Sequence, residues 1–219
     1  MQHAAPPLPA PAAAVDPKAA EILERIKGVF AAKGFDGATM QDLARAAGMS
    51  AGNFYRYFPS KAAIIAAMVS LDLARVDADF AEIMRNPAPR AALRATIWRR
   101  LTEDIEKEGH LWAEIEAAAA RRPEIAAIRD GIHAAIKGCL LRVFAQIARL
   151  PEAEAAARFD AEAELVMLLV RGAAVDSCAA QPGRTPAASA ALHGAVMRHV
   201  DVILADVEAV SHAVTKPPG

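Results

Sequence analysis

Alanine is the residue type that most constrains this chain. The 219 residues are 54% hydrophobic but only 5% aromatic, and much of the apolar share is alanine. Alanine is the strongest helix former and buries little area per residue. Sandwiches and barrels need β-branched and aromatic residues to fill a pleated core. The expectation is therefore an all-α chain of long, closely packed helices. Charged residues make up 23%, so core material and polar surface are both present, and disorder throughout the chain is excluded.

Punctuation along the chain divides it further. Residues 1–17 are almost entirely alanine and proline and read as a disordered arm. Asp16 then caps a helix with Pro17 at its first position, and Gly34 closes it. Thr39 to Ala47 reads as a short helix, with Thr39 and Asp42 as an acidic capping box. After a break at Gly48-Met49-Ser50 comes a second short helix, Ala51 to Tyr57. Ser60 caps a long helix to about Arg85. Helices follow from about Arg90 to Lys107 and, after a break at Gly109, from His110 to Arg121. A further helix runs from Pro123 to Leu150. Pro151 to Arg158 reads as a connector, and two more helices follow, from Phe159 to about Gln181 and from Pro186 to about His212. That makes nine helices, no strand and no internal repeat. Residues 213–219 read as a flexible tail.

Within this order, residues 40–59 have the makings of a helix-turn-helix. A small residue, Ala44, stands where two helices must approach closely, and Gly48 stands where the chain must turn through a left-handed conformation. Leu43, Ala47, Met49, Phe54 and Tyr57 supply an apolar inner face. Ser50, Asn53, Tyr55 and Arg56 are left outward. A hydroxyl, an amide and a guanidinium are the groups that reach phosphates and base edges in a major groove. From Lys18 to Ile64 seven basic residues (Lys18, Arg25, Lys27, Lys33, Arg45, Arg56, Lys61) face four acidic ones (Glu21, Glu24, Asp36, Asp42). The module is thus +3 in a chain of net charge −1, the sign that a DNA partner requires.

The run from Thr39 to Lys61 resembles the signature of the tetracycline-repressor (TetR) family. The residues that carry the resemblance are Thr39 opening the second helix, the Leu43-Ala44 pair and the Ala47-Gly48-Met49-Ser50 turn. Gly52 and Tyr55 of the recognition helix and the Tyr57-Phe58-Pro59-Ser60-Lys61 exit complete it. The resemblance covers residues 18–65. It implies an N-terminal helix-turn-helix module at 18–65 and a helical ligand-binding and dimerisation domain at 66–212. It implies phosphate contacts from Thr39, Tyr55, Tyr57 and Lys61, and base-reading positions at Gln41, Ser50, Ala51, Gly52, Asn53 and Arg56. Ala51 and Gly52 carry no side-chain donor, which leaves Gln41, Asn53 and Arg56 as the base readers.

The resemblance also implies a DNA-binding regulator, a repressor that holds a palindromic operator in double-stranded DNA as a homodimer and is released by a small-molecule effector. Candidate pocket residues on the middle helices are Trp98, Leu101, Ile105, Trp112, Ile136, Cys139, Leu140 and Phe144, the tryptophans offering large apolar walls. Glu114 and Glu116 are read as solvated, or one of them as meeting a cationic ligand. Candidate dimer residues are Leu168, Leu169 and Gly172 on the penultimate helix. Leu192, Val196, Val200, Ile203 and Leu204 recur on one face of the last.

Other chemistry has little support. No phosphate-cradling glycine loop, G-x-S-x-G or Ser/His/Asp grouping occurs, so neither catalysis nor a cofactor is expected. His193 and His199 lack one-face ligand spacing, and no metal site is expected. Cys139 and Cys178 form no C-x-x-C pair and read as reduced thiols of a cytoplasmic protein. The longest apolar run, Leu165 to Val170, ends at Arg171, so no membrane contact is expected. Two other functions stay open: a DNA-binding regulator whose C-terminal domain docks a protein partner, and an all-α small-molecule enzyme.

Overall fold

The computed structural model describes residues 16–178 and 185–214. Among these it contains nine α-helices and one π-helical turn, and no strand. The helices are α1 (Pro17–Gly37), α2 (Met40–Ala46), α3 (Ala51–Tyr57), α4 (Lys61–Arg85) and α5 (Pro89–Arg99). After a π-helical turn at Arg100–Asp104 come α6 (Ile105–Ala119), α7 (Pro123–Ala148), α8 (Glu152–Cys178) and α9 (Pro186–Val214). The all-α expectation holds.

Most helix ends follow local chemistry. Asp16 accepts a hydrogen bond from the Lys18 amide at 2.9 Å, beside Pro17. The Ser60 hydroxyl accepts from the Ala63 amide at 3.1 Å, and the Thr185 hydroxyl from that of Ala188 at 3.2 Å. Gly34 has φ +69° and interrupts α1 three residues before its end.

Three boundaries differ from expectation. The chain does not break at Gly109; helix continues through it. One helical glycine costs only about 1 kcal/mol. The irregularity falls instead at the π turn, where Arg99 and Arg100 both donate to Asp79 (2.6 and 3.1 Å) and the Thr102 hydroxyl donates back to the Trp98 carbonyl (2.9 Å). Residues 152–158 are helix and not a connector, as their alanines and glutamates favour. The distortion in α8 comes at Phe159, with φ −114° and ψ 19°. Finally, α9 runs to Val214, so residues 213–214 are helical.

The chain packs as two compact units. Of the described residues, the first comprises 16–76 with Glu114–Ala135, and the second comprises 77–113, 136–178 and 185–214. The first therefore takes in more than the 18–65 marked by the motif. Its core is built from Ile22, Leu23, Ile26 and Phe30 of α1, Leu43 of α2, Phe54 of α3 and Ile64 of α4, all buried. Phe54 and Phe58 pack with ring centroids 5.5 Å apart.

In the second unit α9 packs on α5 and α8. Arg94 of α5 holds Asp201 of α9 through two hydrogen bonds (2.6 and 3.1 Å), and Arg90 pairs with Glu208. Phe144 and Phe159 meet edge to face at 6.1 Å.

Among the described residues one helix, α7, is long and apolar enough to cross a membrane by length and composition. The short uninterrupted runs of the sequence had not indicated this. Its apolar residues Ile125, Ile132, Leu140, Val143, Phe144 and Ile147 are buried against the rest of the protein, as in the core helix of a globular fold.

Candidate nucleic-acid interface

The turn between α2 and α3 is closed by two hydrogen bonds. The Met49 amide donates to the Ala44 carbonyl at 2.9 Å and the Gly48 amide to the Arg45 carbonyl at 3.0 Å. This paired closure needs a left-handed residue, and Gly48 supplies it with φ +69°. From α1, the Arg25 guanidinium donates to the Ala47 carbonyl at 3.3 Å and meets the negative end of α2. At the other end of α2, the Thr39 hydroxyl accepts from the Asp42 amide (3.1 Å) and donates to the Asp42 carboxylate (2.7 Å). The carboxylate in turn accepts from the Thr39 amide (3.1 Å). Lys33 lies 2.9 Å from Asp42. Lys33 first, then Thr39, hold this carboxyl well below the usual range.

These contacts present a small outward surface. Gln41, Ser50, Ala51, Gly52, Asn53, Tyr55 and Arg56 are all exposed, and Tyr55 stands 47% open. A Cβ added at Gly52 would meet nothing within 4 Å, so a nucleic-acid backbone has room to approach. Ser50 is also the N-cap of α3, accepting from the Asn53 amide at 3.4 Å. Gln41 and Tyr55 have no side-chain hydrogen-bond partner among the described residues. Tyr57 is half-buried, its ring beside Phe58 and beneath the Arg56 guanidinium (5.8 Å). Phe58 completes the inner face, a part the sequence pattern did not give it.

Two of the expected phosphate contacts are more engaged than that role implies. The Thr39 hydroxyl gives its proton to Asp42. The Lys61 ammonium donates to the carbonyls of Phe35 (2.7 Å) and Asp36 (3.2 Å) and lies 4.9 Å from the centre of the Phe35 ring. At most one of its three donors remains for DNA.

Lys61 thus belongs to a second cluster, at the end of α1, which the sequence had not marked. The Phe35 amide donates to the Glu114 carboxylate at 2.8 Å. Asp36 accepts from Arg121 (2.9 Å) and Arg122 (2.7 Å). Arg122 first, then Arg121, depress its carboxyl below the ordinary value. Arg122 also lies over the Phe35 ring at 5.5 Å, and that ring stacks on Phe30. Glu114 and Glu116, read as solvated or ligand-facing, are both used internally, the latter by Arg129 at 3.5 Å. Gly34 was the single local signal of this corner.

In the second unit, Leu101, Cys139, Leu140 and Phe144 are buried, and Trp112 and Ile136 are half-buried. Trp98 is not inward: it is 43% exposed. The side chain of Ile105 lies outside the described residues, as do those of residues 1–15 and Cys178. The Cys139 thiol is 3.1 Å from an Arg142 nitrogen, and burial pushes its ionisation upward. Leu168 and Gly172 are exposed and Leu169 and Leu192 half-buried. Val196, Val200, Ile203 and Leu204, expected at a dimer seam, are buried within the single chain. Their periodic face closes the second unit's own core. Among the described residues no cluster of His, Cys, Asp and Glu has a metal-binding arrangement.

Residues 22–68 match the family model of bacterial regulatory proteins, tetR family. None of the curated protein sequences matches the chain. Solved structures are similar over nearly their whole length. A transcriptional regulator from Rhodococcus sp. Rha1 is 26% identical, with 87% of this chain and 97% of that one covered and a TM-score of 0.68. GusR of Salmonella enterica is 24% identical, with 84% and 96% covered and a TM-score of 0.63. The TetR-family transcriptional regulator PfmR from Thermus thermophilus is 21% identical, with 84% and 97% covered and a TM-score of 0.54. The helix-turn-helix, its exposed polar face and this match agree: residues 22–68 carry the DNA-binding module found in bacterial regulatory proteins of the tetR family, and the chain is a DNA-binding regulator of transcription.

Proposed function

We propose that the protein is a ligand-responsive repressor that binds a palindromic operator as a homodimer and leaves it when a small-molecule effector binds. In this reading residues 18–65 contact DNA and residues 66–212 hold the effector and the second subunit. The observation that carries it is an uncovered apolar stripe in the second unit of a chain whose first unit holds the DNA-reading module. Leu165, Leu168, Gly172 and Val175 follow one another at spacings of three and four on α8, and all are exposed, Leu168 at 54%. Val202 of α9 is 61% exposed. A stripe of this kind on two adjacent helices suits an isologous four-helix contact with a second copy. The seam proposed here therefore lies on α8 and the Val202 side of α9, and the Val196–Leu204 face serves the fold.

The effector would bind within the second unit, near Leu101, Leu140 and Phe144, with Trp112 and Ile136 at the edge. It acts only by binding the DNA-incompetent arrangement more tightly than the competent one. A coupling of about 1–3 kcal/mol lowers operator affinity roughly 5–150-fold.

The test combines sedimentation and footprinting on the DNA flanking the protein's own gene. A dimer that protects a two-fold symmetric site, and a Leu168→Asp variant that sediments as a folded monomer and binds that site weakly, are expected. A wild-type monomer, or protection without symmetry, would refute the reading.

A further inference from the structure

Asn53 and Arg56 stand one turn apart on α3, both exposed. They are joined: an Arg56 Nη2 hydrogen donates to Asn53 Oδ1 at 2.8 Å. The same guanidinium lies over the Tyr57 ring, 5.8 Å from its centre. It is therefore held on two sides before any DNA arrives.

This arrangement changes what Asn53 can read. An asparagine that selects adenine does so with both ends of its amide, accepting from the base N6 amine and donating to N7. In Asn53 the accepting end already holds an arginine hydrogen. Its remaining lone pair lies beside a full positive charge, which repels the partly positive amine of a base. The donating NH2 is left. Arginine offers donors alone. The acidic residue of this segment, Asp42, is committed to Thr39 and Lys33. The Asn53–Arg56 pair thus presents donors alone.

In the major groove, guanine presents two acceptors, N7 and O6, and no donor. Adenine pairs one acceptor with one donor, cytosine shows a donor, and thymine a single acceptor beside a methyl group. We propose that Asn53 and Arg56 act as one donor-only reading head that selects guanine in each operator half-site, with Asn53 orienting Arg56 and not specifying adenine. This rests on the reading of the protein as an operator-binding regulator.

Selection from a randomised DNA library separates the two. The full-length protein should enrich sites with guanine at the contacted position, favoured by about 5–150-fold over other bases. Arg56→Ala frees Asn53 Oδ1, so guanine preference should disappear there and adenine should rise in its place. Asn53→Ala should keep the guanine preference but reduce it. Both variants should melt at the wild-type temperature, since both side chains are solvent-exposed. Enriched sites lacking guanine, or an adenine preference in the wild type that Asn53→Ala abolishes, would overturn this inference and leave operator binding intact. A wild-type protein that enriches no sequence would overturn both.

Discussion

The outward face of α3 and the Phe35–Asp36 corner lie in the same compact unit and use the same kinds of side chain, yet their chemistry is opposite. On α3 Asn53, Tyr55 and Arg56 are exposed, and Asn53 and Arg56 form a hydrogen-bonded pair still open to solvent. At the corner each polar group has a partner far along the chain. Lys61 meets Phe35 and Asp36, Glu114 meets the Phe35 amide, and Arg121 and Arg122 meet Asp36. A cation in the first setting offers its hydrogens to something outside the molecule. A cation in the second has spent them on holding a turn. Lys61 and Arg56 look alike in a sequence motif, but their surroundings give them different work.

The contrast is most exposed to failure at Phe35, which is 3% exposed and stacks on Phe30. Phe35→Ala should cost about 3–5 kcal/mol through the cavity it leaves. Urea unfolding reads this directly, and a loss under about 0.5 kcal/mol, the range of ordinary surface substitutions, would mean that the corner does not anchor the unit.

A smaller loss, roughly 1–2 kcal/mol, is expected from Gly48→Ala, because a side chain at φ +69° is strained. Here the added methyl group meets no closer atom than Arg25 Nη1 at 3.8 Å, so strain and not crowding sets the cost. Wild-type stability in that variant would show that the turn adapts.

The smallest effect belongs to Asp36→Asn and depends on pH. The arginines depress the folded-state ionisation of Asp36. Its contribution is therefore complete above the unfolded value of about 4 and is lost as pH falls below it. The stability gap between wild type and Asp36→Asn should stay constant from pH 7 to about 5 and close under more acidic conditions. A gap that widened on acidification would reverse the sign of the assignment.

The two regions were also unequally legible. The helix-turn-helix is written in short-range chemistry. Thr39 and Asp42 cap α2, Gly48 turns the chain, and Ser50 and Ser60 start the next two helices, each within four residues of its partner. The corner is invisible at that range, since Phe35 and Glu114 are 79 residues apart and Asp36 and Arg122 are 86.

Periodicity located the buried faces but not what buries them. The stripe of Val196, Val200, Ile203 and Leu204 is as regular as a dimer seam would be, and it closes the chain's own core. Trp98 shows the converse. Its size suggested an inner wall, yet position on α5 decides burial, and neighbouring Leu93, Ile97 and Leu101 take the inward places.

The division of labour between the two cations is tested by one paired measurement. Arg56→Ala and Lys61→Ala are compared for thermal unfolding and for binding to the selected operator and to unrelated DNA. Arg56→Ala should unfold like the wild type and lose its preference for the operator. Lys61→Ala should unfold at a lower temperature, and the ratio of operator to unrelated DNA affinity should be kept. An Arg56→Ala protein that is destabilised but selective, together with a Lys61→Ala protein that is stable but weak on all DNA, would contradict this division.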